Sequence, residues 1–169
     1  AAGYWPAFWA LGAPARPVGA TNWPSVGEID IMEDVNGLSS VFGTLHCGPS
    51  IPGTCNETTG LGSGQVACPG CQTGFHTYGV EWDRSVNPET LRWYRDGAVY
   101  FSLNKNQVDA TSWTNATNHG YFAIFDLANT ADIESGHLAK AQAKDSAVRD
   151  LGEMFAMAHT SVRQQGRDL

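Results

Sequence analysis

Apolar and polar residues alternate through Gly27-Glu-Ile-Asp-Ile-Met-Glu33, where Ile29 and Ile31 interleave with Glu28 and Asp30. A period of two predicts a strand with Glu28 and Asp30 on one face. Glu33 falls one residue out of phase, and a β-bulge at Ile31-Met32 would supply the residue that brings all three acids to one surface. A second alternating run, from Phe75 to Phe101, is broken by Arg95-Asp-Gly-Ala98. An Asp-Gly pair between two strand-like runs predicts a hairpin. On that reading Trp82 and Trp93 pack in the core, and Asp83 and Asp96 serve turns.

The period changes after Ile124. Leu127, Ala131 and Leu138 fit one apolar helical stripe, and Val148, Leu151, Phe155, Ala158 and Val162 fit another. The pattern predicts two helices joined near Lys144-Asp-Ser146, with Asp145 or Ser146 as N-cap, folded back as an antiparallel hairpin. The expected fold class is therefore mainly β over residues 1–123, followed by a C-terminal α-helical hairpin over 124–169.

Composition narrows the picture. With 169 residues the chain is long enough for one core and too short for two full domains. A net charge of −7 disfavours nucleic acid and anionic membrane as partners. No window approaches the 18 or so apolar residues of a membrane-spanning helix. Cys47, Cys55, Cys68 and Cys71 fall inside one Gly/Pro-rich insertion, and four cysteines allow three disulfide pairings. Zinc bound by Cys68-Pro-Gly-Cys71 with Cys47, Cys55 or His46 lacks a second close pair, and a redox Cys-x-x-Cys would open a helix in a βαβ unit. Disulfides of a secreted protein fit better, although the chain itself carries no signal peptide.

The chemistry concentrates in Glu28, Asp30 and Glu33. Burying a carboxylate costs several kcal/mol unless it is paired or protonated, so three in one apolar strand call for a use. Two carboxyls about 5–5.5 Å apart suit a retaining glycosidase, one attacking the anomeric carbon and one protonating the leaving oxygen, while the third keeps their pKa values apart. A solvated acidic edge strand or a calcium site would use the same residues. Trp5, Trp9 and Trp23 precede the acids, and indole faces stack on the C–H faces of sugars. Trp5 and Trp9, four apart, would equally fill a core.

The segments Gly3-Tyr-Trp-Pro-Ala-Phe-Trp-Ala-Leu-Gly12 and Trp23-Pro-Ser-Val-Gly-Glu-Ile-Asp-Ile-Met-Glu33 closely resemble glycoside hydrolase family 16, the laminarinase-like β-glucanases. Gly43-Thr-Leu-His-Cys-Gly48, Cys55-Asn-Glu-Thr-Thr-Gly60, Phe75-His-Thr-Tyr-Gly-Val-Glu-Trp82 and Leu91-Arg-Trp-Tyr-Arg-Asp-Gly97 are similar to the same family. The resemblance covers about residues 1–123 and lacks the family's first and last strands. It implies a partial β-sandwich jelly roll of concanavalin A-like type and a secreted endo-β-1,3-glucanase acting on laminarin-type β-glucan with retention. Glu28 would be the nucleophile, Glu33 the general acid/base and Asp30 the neighbour that tunes both. His46 would face the cleft from the adjoining strand, and Trp23, Trp9 and Trp5, in that order, would bind sugar. No cofactor is expected; the family's calcium site is not evident in this chain. A monomer acting on polysaccharide or oligosaccharide is expected, with no nucleic acid or membrane partner.

Residues 124–169 resemble instead a ferritin-like bacterial helical family, domain of unknown function 4142. Glu134 and His159 stand among them without the Glu-x-x-His pair that di-iron sites use, so no metal is expected. The alternatives to an enzyme are a noncatalytic glucan-binding module and a nonfunctional truncated chimera with a helical interaction segment.

Overall fold

A computed structural model describes residues 2–129. Nine strands follow in order: β1 (Tyr4–Gly12), β2 (Glu28–Glu33), β3 (Ser40–His46), β4 (Leu61–Gly62), β5 (Val66–Ala67), β6 (Tyr78–Asp83), β7 (Thr90–Arg95), β8 (Ala98–Asn104) and β9 (Tyr121–Asn129). A short 3-10 turn, Lys105–Gln107, and an α-helix, α1 (Ala110–Thr117), lie between β8 and β9. The strands form two antiparallel sheets, one in the order β4-β3-β2-β1-β9 with β5 on the far end of β3, the other β6-β7-β8.

The sheets meet face to face over the alternate apolar residues of each strand. Ile29, Ile31 and Leu45 from the first sheet close on Leu91, Trp93 and Leu103 from the second, and Trp113 and Ala116 of α1 complete the cluster. Each large side chain so buried contributes roughly 1.5–3 kcal/mol. Asp109 caps α1 by accepting from the Thr111 and Ser112 amides. The expected hairpin is β7–β8, turning through Asp96 and Gly97, both at positive φ. Trp93 is fully buried, as the alternation predicted.

The predicted bulge is present. Trp9 pairs with Asp30 and Phe8 with Met32, and on the other side Thr44 pairs with Asp30 and Phe42 with Glu33, so Ile31 has no partner on either strand. A bulge frees ladder carbonyls, which then need other donors. The second sheet supplies them: Trp93 Nε1 donates to the Asp30 carbonyl at 2.8 Å and Tyr100 Oη to the Ile31 carbonyl at 2.6 Å. Gly43 on β3 is the gap through which they reach. A Cβ there would lie 2.5 Å from Trp93 Cδ1 and 2.6 Å from Tyr100 Oη.

The strand-to-helix change expected after Ile124 does not occur there. β9 runs on to Asn129 and pairs with β1 along its whole length, from Gly12–Tyr121 to Tyr4–Asn129. Phe125 to Asn129 fits a period of two as well as a helical one, and the open edge of β1 decides between them. The remainder of the expected hairpin, with Glu134 and His159, lies outside the described residues. Phe125 stacks on Phe8 with ring centroids 4.5 Å apart, yet it is 75% exposed and Leu127 58%. The three-stranded sheet covers β2 and β3 far better than this edge. Four cysteines form two disulfides, Cys47–Cys55 and Cys68–Cys71, which resolves the three pairings the sequence left open.

Candidate active site

With Ile31 bulged out, Glu28, Asp30 and Glu33 gather around one imidazole and two indoles. Trp23 Nε1 donates to Glu28 Oε2 at 3.1 Å, and Trp5 Nε1 to Glu33 Oε1 at 2.8 Å. His46, opposite Glu28 on β3, places Nε2 3.1 Å from Asp30 Oδ2 and 4.0 Å from Glu28 Oε1. Its Nδ1 lies 2.7 Å from Glu57 Oε2. Among the described residues, no Lys or Arg forms an ion pair with these four carboxylates, so His46 is their cationic partner.

That imbalance sets the protonation. Burial, followed by the charge of Asp30, pushes Glu28 up to about 8, with His46 and the Trp23 N–H pulling the other way. Burial and Asp30 likewise hold Glu33 well above the ordinary carboxylate range. Burial alone would lower His46, but the Asp30 and Glu57 carboxylates against its two nitrogens outweigh this and carry it well above 6.5. Both glutamates are thus held toward the protonated form and the imidazole toward the imidazolium.

The three tryptophans take different places. Trp23 stands beside the acids, its ring centroid 5.6 Å from that of His46. Trp9 is half-buried on the same side of β1 and donates to Asp126 at 2.8 Å. Trp5 is only 7% exposed, packed with Phe42 and Ala128, so little of its indole face is open to a sugar and its N–H serves Glu33. Glu57 was not among the residues singled out from sequence. The signal was Cys55, two residues before it, whose bond to Cys47 returns the loop to the neighbour of His46.

Two groups of three bring possible ligand atoms within 4.8 Å of one another among the described residues: Glu28, Asp30 and His46, and Cys68, Cys71 and His76. In the second the two sulfurs are bonded to each other, which leaves His76 as the one nitrogen donor. In the first, both ring nitrogens of His46 already face carboxylate oxygens, Nε2 at 3.1 Å from Asp30 and Nδ1 at 2.7 Å from Glu57. The first group is better suited to moving protons. A protonated carboxyl can act as general acid while a second carboxyl, relieved by a nearby cation, acts as nucleophile.

Residues 1–81 match the family model of the XgeA-like, catalytic GH16 domain. The structure is similar to that of the endo-1,3-β-glucanase from Streptomyces sioyaensis, with 58% identity and a TM-score of 0.72 over 76% of this chain and 46% of that one. It is also similar to the catalytic domain of an endo-1,3-β-glucanase (laminarinase) from Thermotoga petrophila RKU-1, with 30% identity and a TM-score of 0.58 over 76% of this chain and 48% of that one. In sequence, 102 residues are 38% identical to the β-glucanase of Rhodothermus marinus, spanning 59% of this chain and 32% of that protein. The chain thus spans about a third of the β-glucanase and about half of each of the two solved structures. The fold they share with it is the laminarinase jelly roll, here in part.

Proposed function

We propose that the chain, whose residues 1–81 match the catalytic domain model of glycoside hydrolase family 16, cleaves β-1,3-glucan of the laminarin type with retention of configuration. The observation that carries this reading is the bulged β2, which gathers Glu28 and Glu33 about Asp30 and His46 and gives each catalytic glutamate its own indole donor. The β-1,3-glucanases among the relatives support the substrate class.

In the first step the Glu28 carboxylate attacks the anomeric carbon, the glycosidic C–O bond breaks, and the Glu33 proton passes to the departing oxygen. Glu33, now a carboxylate, takes a proton from water whose oxygen attacks the same carbon and releases Glu28. Two inversions leave the configuration unchanged. Glu28 is the group suited to ionise, because the His46 imidazolium stands 4.0 Å from it and the Trp23 N–H stabilises the anion. Asp30, between them, holds His46 in place and keeps the two glutamates from ionising together. Trp23 and Trp9 are the sugar platforms on this reading. Two disulfides suit an extracellular site of action, and a single chain meeting its polysaccharide suffices for the chemistry.

Reducing-sugar release from laminarin by the purified chain, beside Glu28→Gln, tests it. The wild type should release reducing ends and the variant should not, while both are retained by laminarin in an affinity gel. A folded wild type that binds laminarin without hydrolysing it would replace this reading with a glucan-binding module.

A further inference from the structure

His46 is held from two sides, and the side away from β2 is built with unusual care. The Cys47–Cys55 disulfide starts at the residue after His46 and turns the chain back on itself. Glu57 follows two residues later with its side chain fully buried. Both its oxygens are engaged: Oε1 accepts from the Cys47 amide at 2.8 Å and Oε2 lies 2.7 Å from His46 Nδ1. The loop ends at Gly60, at positive φ, where a Cβ would come within 2.4 Å of Thr44 Cγ2 and 3.0 Å of His46 Cε1. The loop therefore closes directly on the imidazole.

We infer that Glu57 is a positioning residue, one that fixes His46 as an imidazolium aimed at Asp30 and Glu28 and thereby sets which cleft carboxyl is ionised. This rests on the glucanase reading of the same cleft. A buried carboxylate needs a cation, and among the described residues its one ion-pair partner is His46. The groups facing His46 are Glu28, Asp30 and Glu33 from β2 and Glu57 from the loop, with Tyr121 of β9 coupled through Glu28. Removing Glu57 has two opposed effects on Glu28. It takes away a repelling charge, and it weakens the hold on the imidazolium proton that favours the Glu28 anion. The imidazolium is the stronger influence, so Glu28 should become harder to ionise.

The test compares wild type, Glu57→Gln and Glu57→Asp by NMR titration of the imidazole resonances and by laminarin kinetics across pH. In the wild type His46 should titrate above 6.5; in Glu57→Gln its midpoint should fall by roughly one pH unit or more. The kcat of Glu57→Gln should drop on the order of tenfold with KM within about twofold, and the acid limb of its pH profile should move upward. Glu57→Asp, which keeps the charge, should recover part of both. A wild-type His46 that titrates below 6.5, or a midpoint unmoved in Glu57→Gln, overturns the inference. The NMR readout stands even for a chain without turnover, so failure of the glucanase reading and failure of the Glu57 role are told apart. If Glu57→Gln does not fold, the wild-type midpoint and the Glu57→Asp shift decide.

Discussion

Two imidazole–carboxylate pairs in this molecule share the same geometry and differ in everything that follows from it. At the cleft His46 Nδ1 lies 2.7 Å from Glu57, and at the hairpin end His76 Nδ1 lies 2.7 Å from Asp96. The Glu57 side chain is fully buried, whereas that of Asp96 is 52% exposed. Buried, the contact joins four carboxylates at a place where burial and then the charge of Asp30 raise Glu28 and Glu33, and where Asp30 and Glu57 raise His46 against its burial. Exposed, it lowers Asp96 chiefly through the His76 contact and the Thr77 amide, and ends there. Distance alone does not make a site; what surrounds the pair decides whether its charge is felt elsewhere.

The sharpest way to break this comparison is to remove one carboxylate at each end. Glu28→Gln should lower laminarin turnover by about a thousandfold or more, while Asp96→Asn, at a turn that Asn also suits, should leave it within about twofold. Reducing-sugar assays on both variants check it, and comparable losses would sink it.

Thermal melting against pH sharpens the same contrast by sign. Glu28 holds its proton to about 8 when folded against 4.5 unfolded, so its contribution is full below 4.5 and is lost as pH rises toward 8. His46 acts in the same direction, its contribution full below 6.5 and lost as pH rises through the folded value. Asp96 acts oppositely, its contribution present above 3.8 and lost as pH falls through the lowered value. Melting temperature should therefore fall between pH 5 and 8, and Glu28→Gln should flatten that fall by the equivalent of a few kcal/mol. A melting temperature that rises over this range would contradict the buried network.

The smaller tests concern packing. Trp93→Phe preserves most of the ring volume but leaves the Asp30 carbonyl without its donor, and should cost about 1–3 kcal/mol in denaturant unfolding. At the exposed end, Val99→Thr should stay within about 0.5 kcal/mol.

What the sequence disclosed was local. The phase slip at Glu33 announced the bulge, Asp96-Gly97 announced the hairpin, and His46 was found beside the acids. Glu57 escaped because its contact with His46 depends on which cysteines pair, a choice spacing does not make. The span of β9 escaped because Phe125-Asp-Leu-Ala-Asn129 satisfies both periods, and only its pairing with β1 selects one. Helix α1 was legible in hindsight from Asp109 followed by Thr111 and Ser112, a short capped helix just past the alternating run that ends at Phe101. The indole of Trp5 looked like a platform, and its burial between Phe42 and Ala128 is a tertiary fact.

The bulge itself has a meaning for how such a strand can change over generations. A version one codon shorter, Glu-x-Asp-x-Glu, would present the same three acids by plain alternation, with no irregularity at all. The additional residue is thus unnecessary for facing the substrate. What it adds is a pair of backbone carbonyls turned toward Trp93 and Tyr100, 63 and 69 positions along the chain from their partners. Deleting it would be a small step in the cleft and a large one behind it, because two distant tryptophan and tyrosine positions would lose their reason to stay polar-ended at once.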